Sequence, residues 1–234
     1  MEIAILMAAG LGTRMAPLTK KVPKPLVKAY NRSMIETVID GLEQRGVTHI
    51  FIVVGYLGEQ FSFLTEKYPN VSIIENKEYT IKNNISSIHA AAEVMKTADC
   101  FICEADLFVS DPSIFTAELD HSCYYGKMVS GYSDDWVFDL DEKGIITRVG
   151  TGGTDTYNMV GVSYFKKREA KIIAEAVQEA YLHEGHEQLY WDEIVDQQLK
   201  KLNLVIHPVT EDQIVEIDSV AELAEFDPDF EKYN

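Results

Sequence analysis

Leu6-Met7-Ala8-Ala9-Gly10-Leu11-Gly12-Thr13-Arg14 decides the fold of this chain, and the segment continues through Pro17 to Pro23-Lys24-Pro25-Leu26. Ile3–Ala8 is a continuous apolar run, which predicts a buried first strand. A strand that runs directly into small residues and glycines lets backbone N–H groups approach a ligand closely and form an anion-binding nest. Neither of the commoner nucleotide loops is present. There is no G-x-x-x-x-G-K-[ST], and Gly10-x-Gly12-x-x-Met15 lacks the third glycine of a dinucleotide fingerprint. Arg14 and Lys24 follow instead, the cations that a wrapped triphosphate requires. The plain alternative is a surface loop with solvated Lys and Arg.

The charge distribution favours the first reading. The chain has 234 residues, 21 Lys+Arg and 38 Asp+Glu, for a net charge of −17. Residues 1–32 run the other way, with Arg14, Lys20, Lys21, Lys24, Lys28 and Arg32 against Glu2 alone. An anionic surface of this size repels nucleic-acid phosphates and acidic lipid headgroups, so no nucleic-acid and no membrane partner is expected. With 46% hydrophobic residues the chain can fill a core, which excludes a disordered protein.

No stretch approaches the roughly 20 apolar residues of a membrane helix, and the start has no basic n-region. A cytoplasmic protein is expected. Cys100 and Cys103 have C-x-x-C spacing, but no second pair completes a zinc site, so buried reduced thiols are expected. His183 and His186 lack metal-ligand spacing and are expected at the surface.

Farther along, apolar runs alternate with amphipathic stretches. Ser33 and Glu36 suggest a capping box for a helix ending at Gly46. Strands are expected at Ile50–Val54, Val71–Ile74 and Cys100–Cys103, with helices near 59–68 and from Asn84 or Ser86 to Met95. From about Ser122 the pattern turns to hairpins: Met128–Tyr132, Val137–Leu140, a turn at Glu142-Lys143-Gly144, Ile145–Val149, a flexible loop at Gly150–Asp155, then Met159–Phe165. Helices at about 172–181 and 192–202 and strands at Leu204–Val209 and Ile214–Ile217 complete the chain. The pattern predicts one α/β domain over 1–234: a mostly parallel sheet with helices on both faces and an inserted antiparallel β portion.

Two acidic pairs stand at strand ends, where open α/β sheets place ligands. Glu104 and Asp106 follow Cys100–Cys103, and Glu216 and Asp218 close the last strand. Each pair is spaced i, i+2, hence on one face while the strand lasts. The alternatives are a cap or turn at Asp106 and a helix cap at Asp218. For a cationic substrate, the two Trp residues are both flanked by acids: Trp136 follows Asp134-Asp135, and Trp191 lies between Tyr190 and Asp192. Aromatic faces hold quaternary ammonium groups at roughly 0.5–2 kcal/mol per contact. Against this, Trp191, Val195 and Leu199 share a helical stripe and could be core. Gly55 and Tyr56, with Asn84 and Ser87, stand where a base could be read; turn and N-cap chemistry is the other account of them.

Leu6-x-Ala8-Ala9-Gly10-x-Gly12-Thr13-Arg14-x-x-Pro17-x-Thr19, with Pro23-Lys24-Pro25-Leu26, resembles the signature of the nucleotidyltransferases that include sugar-1-phosphate and choline-phosphate transferases. Asn83-Asn84-x-x-Ser87, Gln188–Asp192 and Glu216–Ser219 are similar to the bacterial choline-phosphate cytidylyltransferases, over nearly the whole chain and most loosely in 131–155. The resemblance implies a Rossmann-like domain, with an NTP-binding part about 1–120 and 204–234 and an acceptor-binding part about 121–203, and Mg²⁺-dependent transfer of CMP from CTP to phosphocholine with release of pyrophosphate. It implies phosphate contacts for Arg14 and Lys24, and nucleotide contacts for Leu6, Ala8, Ala9, Gly10, Gly12, Thr13, Gly55, Tyr56, Asn84, Ser87 and Glu104. Asp106, Glu216 and Asp218 are the expected metal ligands, and Trp136, Tyr190, Trp191 and Asp192 the expected choline site. Alternatives are 2-aminoethylphosphonate or phosphoethanolamine as acceptor, a sugar 1-phosphate, or a non-catalytic nucleotide-binding module.

Overall fold

The computed structural model describes residues 1–234. The main sheet has seven strands in the order β10-β8-β9-β6-β1-β4-β5. Its strands are β1 (Glu2–Ala8), β4 (His49–Val54), β5 (Val71–Glu75), β6 (Asp99–Glu104), β8 (Ser122–Leu140), β9 (Ile146–Phe165) and β10 (Leu204–Pro208). Two small pairs complete the sheets: β2 (Lys28–Ala29) with β3 (Arg32–Ser33), and β7 (Leu107–Val109) with β11 (Ile214–Glu216). The helices are α1 (Met34–Arg45), α2 (Ser62–Lys67), α3 (Ile85–Met95), α4 (Ser113–Thr116), α5 (Lys167–Ala180), α6 (Trp191–Gln198) and α7 (Val220–Phe226).

β1 is central because both its faces are apolar. Ala4, Leu6 and Ala8 point into the core beneath α1 and α2, while Ile3 and Ile5 point into the core beneath α3, α5 and α6. Such two-sided burial suits a parallel strand, and β1 pairs parallel with β4 and with β6. β6 meets β9 antiparallel, and β10 lies parallel to β8. Sheet and layers are therefore those expected. Cys100 and Cys103 fall into opposite cores as buried free thiols.

Three local expectations need correction. Gly150–Asp155 is strand, not a loop: β8 and β9 form one long, irregular hairpin in which Val137 pairs with both Gly150 and Asn158. Gly152 and Gly161, at φ +76° and +72°, supply the kinks such curvature needs. The expected turn at 142–144 does form its tip. Ser33 does not cap α1 through a helix N–H; its hydroxyl bonds the Glu36 carboxylate instead. The helix stops at Gly46, which takes φ +83°. His186 is not a surface residue: its ring packs on Tyr181, and only His183 is exposed.

Candidate active site

The strand ends β1, β6 and β11 and the start of α3 converge on one cleft of about 390 Å³. Its floor is the glycine loop. Gly12 takes φ +60°, and a Cβ there would stand 2.8 Å from Lys24 Cβ and 3.1 Å from Thr19 Cγ2. The Thr19 hydroxyl donates to the Gly12 carbonyl at 2.9 Å. Only glycine lets the loop close this tightly on the Lys24 segment. Ala8, Ala9, Gly10, Gly12, Thr13, Arg14 and Lys24 all line the cleft.

Three acids stand across from the loop. Oxygen atoms of Asp106, Glu216 and Asp218 lie within 4.8 Å of one another. Lys24, whose side chain is 9% exposed, places Nζ 2.6 Å from Asp106 Oδ2 and 2.6 Å from Asp218 Oδ1. Burial opposes the Lys24 charge, but the two carboxylates outweigh it and raise its pKa above the ordinary lysine value. Arg14, 71% exposed, meets Asp218 Oδ2 at 2.6 Å and is otherwise free to face a ligand.

The helix-cap account of Asp218 fails. Ser219 caps α7, accepting from the Glu222 N–H at 3.2 Å, so the Asp218 side chain is left to the cleft. Withdrawal from water and the neighbouring Asp106 and Asp218 push the Glu216 carboxyl upward. Asp106 Oδ1 is buried with no hydrogen-bond partner. An unpaired oxygen beside two further carboxylates is a hard oxygen donor set, which fits a divalent cation such as Mg²⁺.

Glu104 also lines the cleft, as expected, and it joins the cleft to a second, narrow cavity of about 10 Å³. Burial first, then Asp106, Glu216 and Asp192, drive its carboxyl well above the ordinary range. The second cavity is walled by Tyr124, Met159, Gly161, Trp191 and Asp192. Asp192 accepts a hydrogen bond from the Tyr124 hydroxyl at 3.0 Å, yet burial pushes its carboxyl up to about 7. A Cβ on Gly161 would stand 3.0 Å from Glu104 Oε2, so the absent side chain keeps that wall open.

Three of the expected site residues change role, and the aromatic box changes shape. Leu6 is fully buried in the core and supports the loop without lining the cleft. Gly55 and Tyr56 do not line it either. The Tyr56 N–H donates to the Ala9 carbonyl at 3.2 Å, and a Gly55 Cβ would meet the Tyr79 ring at 2.6 Å and the Ala9 oxygen at 2.9 Å. They brace the loop from behind.

Trp191, 3% exposed, follows its helical stripe into the core, against Tyr124 and Phe165, and also walls the narrow cavity. The rest of the expected box pairs half-buried Trp136 with exposed Tyr190, ring centroids 5.4 Å apart.

Sequence reasoning missed Asn76, Tyr79, Lys82, Asn83 and Ser86, all of which line the cleft. Asn76 and Tyr79 follow the carboxyl end of β5, and position at a strand's carboxyl end is the signal that could have found them. Asn84 and Ser87 line the cleft as expected.

Comparison with known proteins agrees with this geometry. Residues 3–133 match the family model described as nucleotidyl transferase. A protein from Lancefieldella rimae named 2-aminoethylphosphonate cytidylyltransferase is 57% identical over 96% of this chain and 91% of its own. A choline-phosphate cytidylyltransferase from Streptococcus pneumoniae is 31% identical over 93% of each chain. The solved structure of the CTP:phosphocholine cytidylyltransferase from S. pneumoniae superposes with a TM-score of 0.89 at 30% identity, covering 97% of this chain and 98% of that one.

Proposed function

This chain belongs to the nucleotidyl transferase family and is a cytidylyltransferase, and from that premise we propose that its acceptor is a small phosphonate or phosphate bearing a primary ammonium, 2-aminoethylphosphonate first among them. The observation that carries this reading is the narrow cavity beside the cleft, with carboxylates Glu104 and Asp192 in its wall. Its size of about 10 Å³ is that of a single water. An –NH₃⁺ head is of that size and donates three hydrogen bonds to carboxylates; a trimethylammonium is far larger and donates none. The relative at 57% identity supports the same acceptor.

In the proposed reaction an acceptor oxygen attacks the α-phosphorus of CTP in line and pyrophosphate leaves. No covalent enzyme intermediate is needed, because the phosphonate oxygen is itself the nucleophile. Arg14 and Lys24 sit beside the glycine loop, where they bind and orient the phosphates and offset charge that grows in the transition state. Asp106, Glu216 and Asp218 would hold Mg²⁺, whose chemistry is to neutralise the phosphates and align the transferring group.

Phosphocholine is the second reading, and the contact of Trp136 with Tyr190 favours it, since two adjoining ring faces, one of them next in sequence to Trp191 of the narrow cavity, suit a quaternary ammonium. Initial rates of pyrophosphate release with CTP, Mg²⁺ and each acceptor decide between them. We expect 2-aminoethylphosphonate to exceed phosphocholine by at least about tenfold in kcat/KM; the reverse order would sink the assignment of the narrow cavity.

A further inference from the structure

We propose that Asp227 is a positioning residue for the transfer reaction: through the backbone of Tyr30 it fixes where Lys24 stands against Asp106 and Asp218. The proposal rests on the reading of Lys24 as a phosphate contact and does not depend on which acceptor is used.

The charged groups of the cleft have a small core of their own. Met15, Phe108 and Ile217 are buried together with Val27, Leu223 and Phe230, apart from the two cores that flank the main sheet. Met15 follows Arg14, Phe108 stands two residues past Asp106, and Ile217 lies between Glu216 and Asp218. Close-packed interiors transmit displacement. A shift on one side of this core is therefore felt by the cations and the acids together.

Between β1 and β2 the chain makes only short 3-10 turns, at Thr13–Met15, Leu18–Lys20 and Lys24–Leu26. Such a segment takes its place from what grips its two ends. Upstream the grip is β1. Downstream it is the β2–β3 hairpin, which has two residue pairs and would be marginal alone. Its turn residues Tyr30 and Asn31 both sit in the left-handed region, at φ +48° and +60°. A side chain as large as tyrosine holds that conformation only where its surroundings impose it.

Residues 227–234 impose it. Asp227 is 1% exposed. Its Oδ2 accepts from the Tyr30 N–H at 2.6 Å and from the Tyr233 hydroxyl, and its Oδ1 from the Asp229 N–H at 3.0 Å. The Tyr30 ring stands edge-on to Phe108 and Phe226, with centroids 6.1 and 5.3 Å away. Asn234 clips both backbone groups of Lys28, accepting from its N–H at 2.8 Å and donating to its carbonyl at 2.7 Å. A carboxylate is costly to bury without a cation beside it, and what this one secures is the backbone of a strained turn.

The stretch from Asp218 to Asp227 thus closes a clamp around α7. At one end Asp218 meets Lys24 at 2.6 Å and directly precedes Ser219, the cap of α7. At the other, Asp227 follows the last residue of α7 and returns to Tyr30, six residues past Lys24. Freeing Tyr30 would let Lys24 drift from Asp218, because the helix between the two grips is rigid.

Calorimetric binding of CTP with Mg²⁺ and no acceptor, beside melting curves, tests the clamp. We expect Asp227→Ala to weaken CTP roughly tenfold, as the loss of one charge-assisted phosphate contact would. Asp227→Asn keeps an oxygen for the Tyr30 N–H and should return to within about threefold of wild type. Val177→Ala, at a buried position of α5 outside the cleft lining, should lower the melting temperature and leave CTP affinity within about twofold.

A lowered melting temperature with unchanged CTP affinity in Asp227→Ala overturns the proposal, as does an equal loss of affinity in Val177→Ala. Should Asp227→Ala not fold, Asn234→Ala decides, since it removes the clip on Lys28 and no buried charge. About threefold weaker CTP binding there sustains the proposal, and unchanged binding overturns it. Lys24→Gln separates the two readings. If it binds CTP as wild type does, the phosphate contact fails and the proposal with it; if it weakens CTP while Asp227→Ala does not, only the proposal fails.

Discussion

The ammonium of Lys24 lies 2.6 Å from Oδ2 of Asp106, while Oδ1 of the same carboxylate is buried without a partner. One oxygen is held by the chain and the other is left for a ligand. Leaving a buried acceptor open costs about 1–3 kcal/mol, which a bound cation would recover. Asp106→Asn keeps the shape and removes the charge. We expect pyrophosphate release to fall at least about 100-fold, chelation with EDTA to abolish it in the wild type, and added Mg²⁺ to restore it. A near-normal initial rate in the variant removes Asp106 from the site.

Arg14 makes a different kind of contact. Its side chain is 71% exposed, so Arg14→Gln should leave thermal stability within about 0.5 kcal/mol of wild type. Its effect should appear as a CTP KM raised roughly tenfold, the loss of about one charge-assisted phosphate contact. A shifted melting temperature with an unchanged CTP KM would make the residue structural.

Asp192 gives the pH dependence. Its carboxyl is pushed up to about 7 by burial, so the charge that an ammonium needs appears only as pH rises through that value. The KM for 2-aminoethylphosphonate should therefore fall between pH 6 and 8, and Asp192→Asn should flatten the profile. Stability runs the other way. The folded pKa exceeds the unfolded value of about 3.9, so the folded state holds the proton more tightly. That contribution is fully present below about pH 4 and is lost as pH rises through about 7. Melting curves from pH 5 to 8 should show the wild type losing more stability than Asp192→Asn.

Gly161→Ala tests the wall of the narrow cavity. At φ +72° the added Cβ is strained by about 1–2 kcal/mol, and it would stand 3.0 Å from Glu104 Oε2. We expect the acceptor KM to rise several-fold more than the CTP KM. Equal changes in the two would separate Gly161 from acceptor binding.

Legibility in the sequence followed from how local each cause was. The glycine loop was readable because strand, small residues and cations are contiguous from Leu6 to Lys24. The acids were readable because strand ends are ligand positions in open sheets. Trp191 showed two compatible patterns, an acidic neighbourhood and a helical stripe, and the fold satisfies both, packing it against Tyr124 and Phe165 and in the wall of the narrow cavity. Gly150–Asp155 has the composition of a loop; cross-strand partners such as Ser133, opposite Gly153, make it strand, and no local rule contains those partners. Asn76 escaped notice because its part lies in bonds to Ser86 and Ser87, reached only after the chain has folded.

The long hairpin has a consequence for how this enzyme type diversifies. β8 and β9 join the sheet at one end, where Ser122–Gly126 pairs with β10 and Val162–Phe165 with β6; farther out the Val149 N–H donates to Asp196 Oδ1 of α6 at 2.7 Å, and Ile145 beside the tip bridges Val205 of β10. Tyr124 and Gly161 stand near the end paired with the sheet, and Trp136 stands farther out along the hairpin. Changes along its span can reshape what the acceptor meets without shifting the glycine loop on β1. One triphosphate grip can thus serve many cargoes, because the two tasks are borne by separate mechanical members.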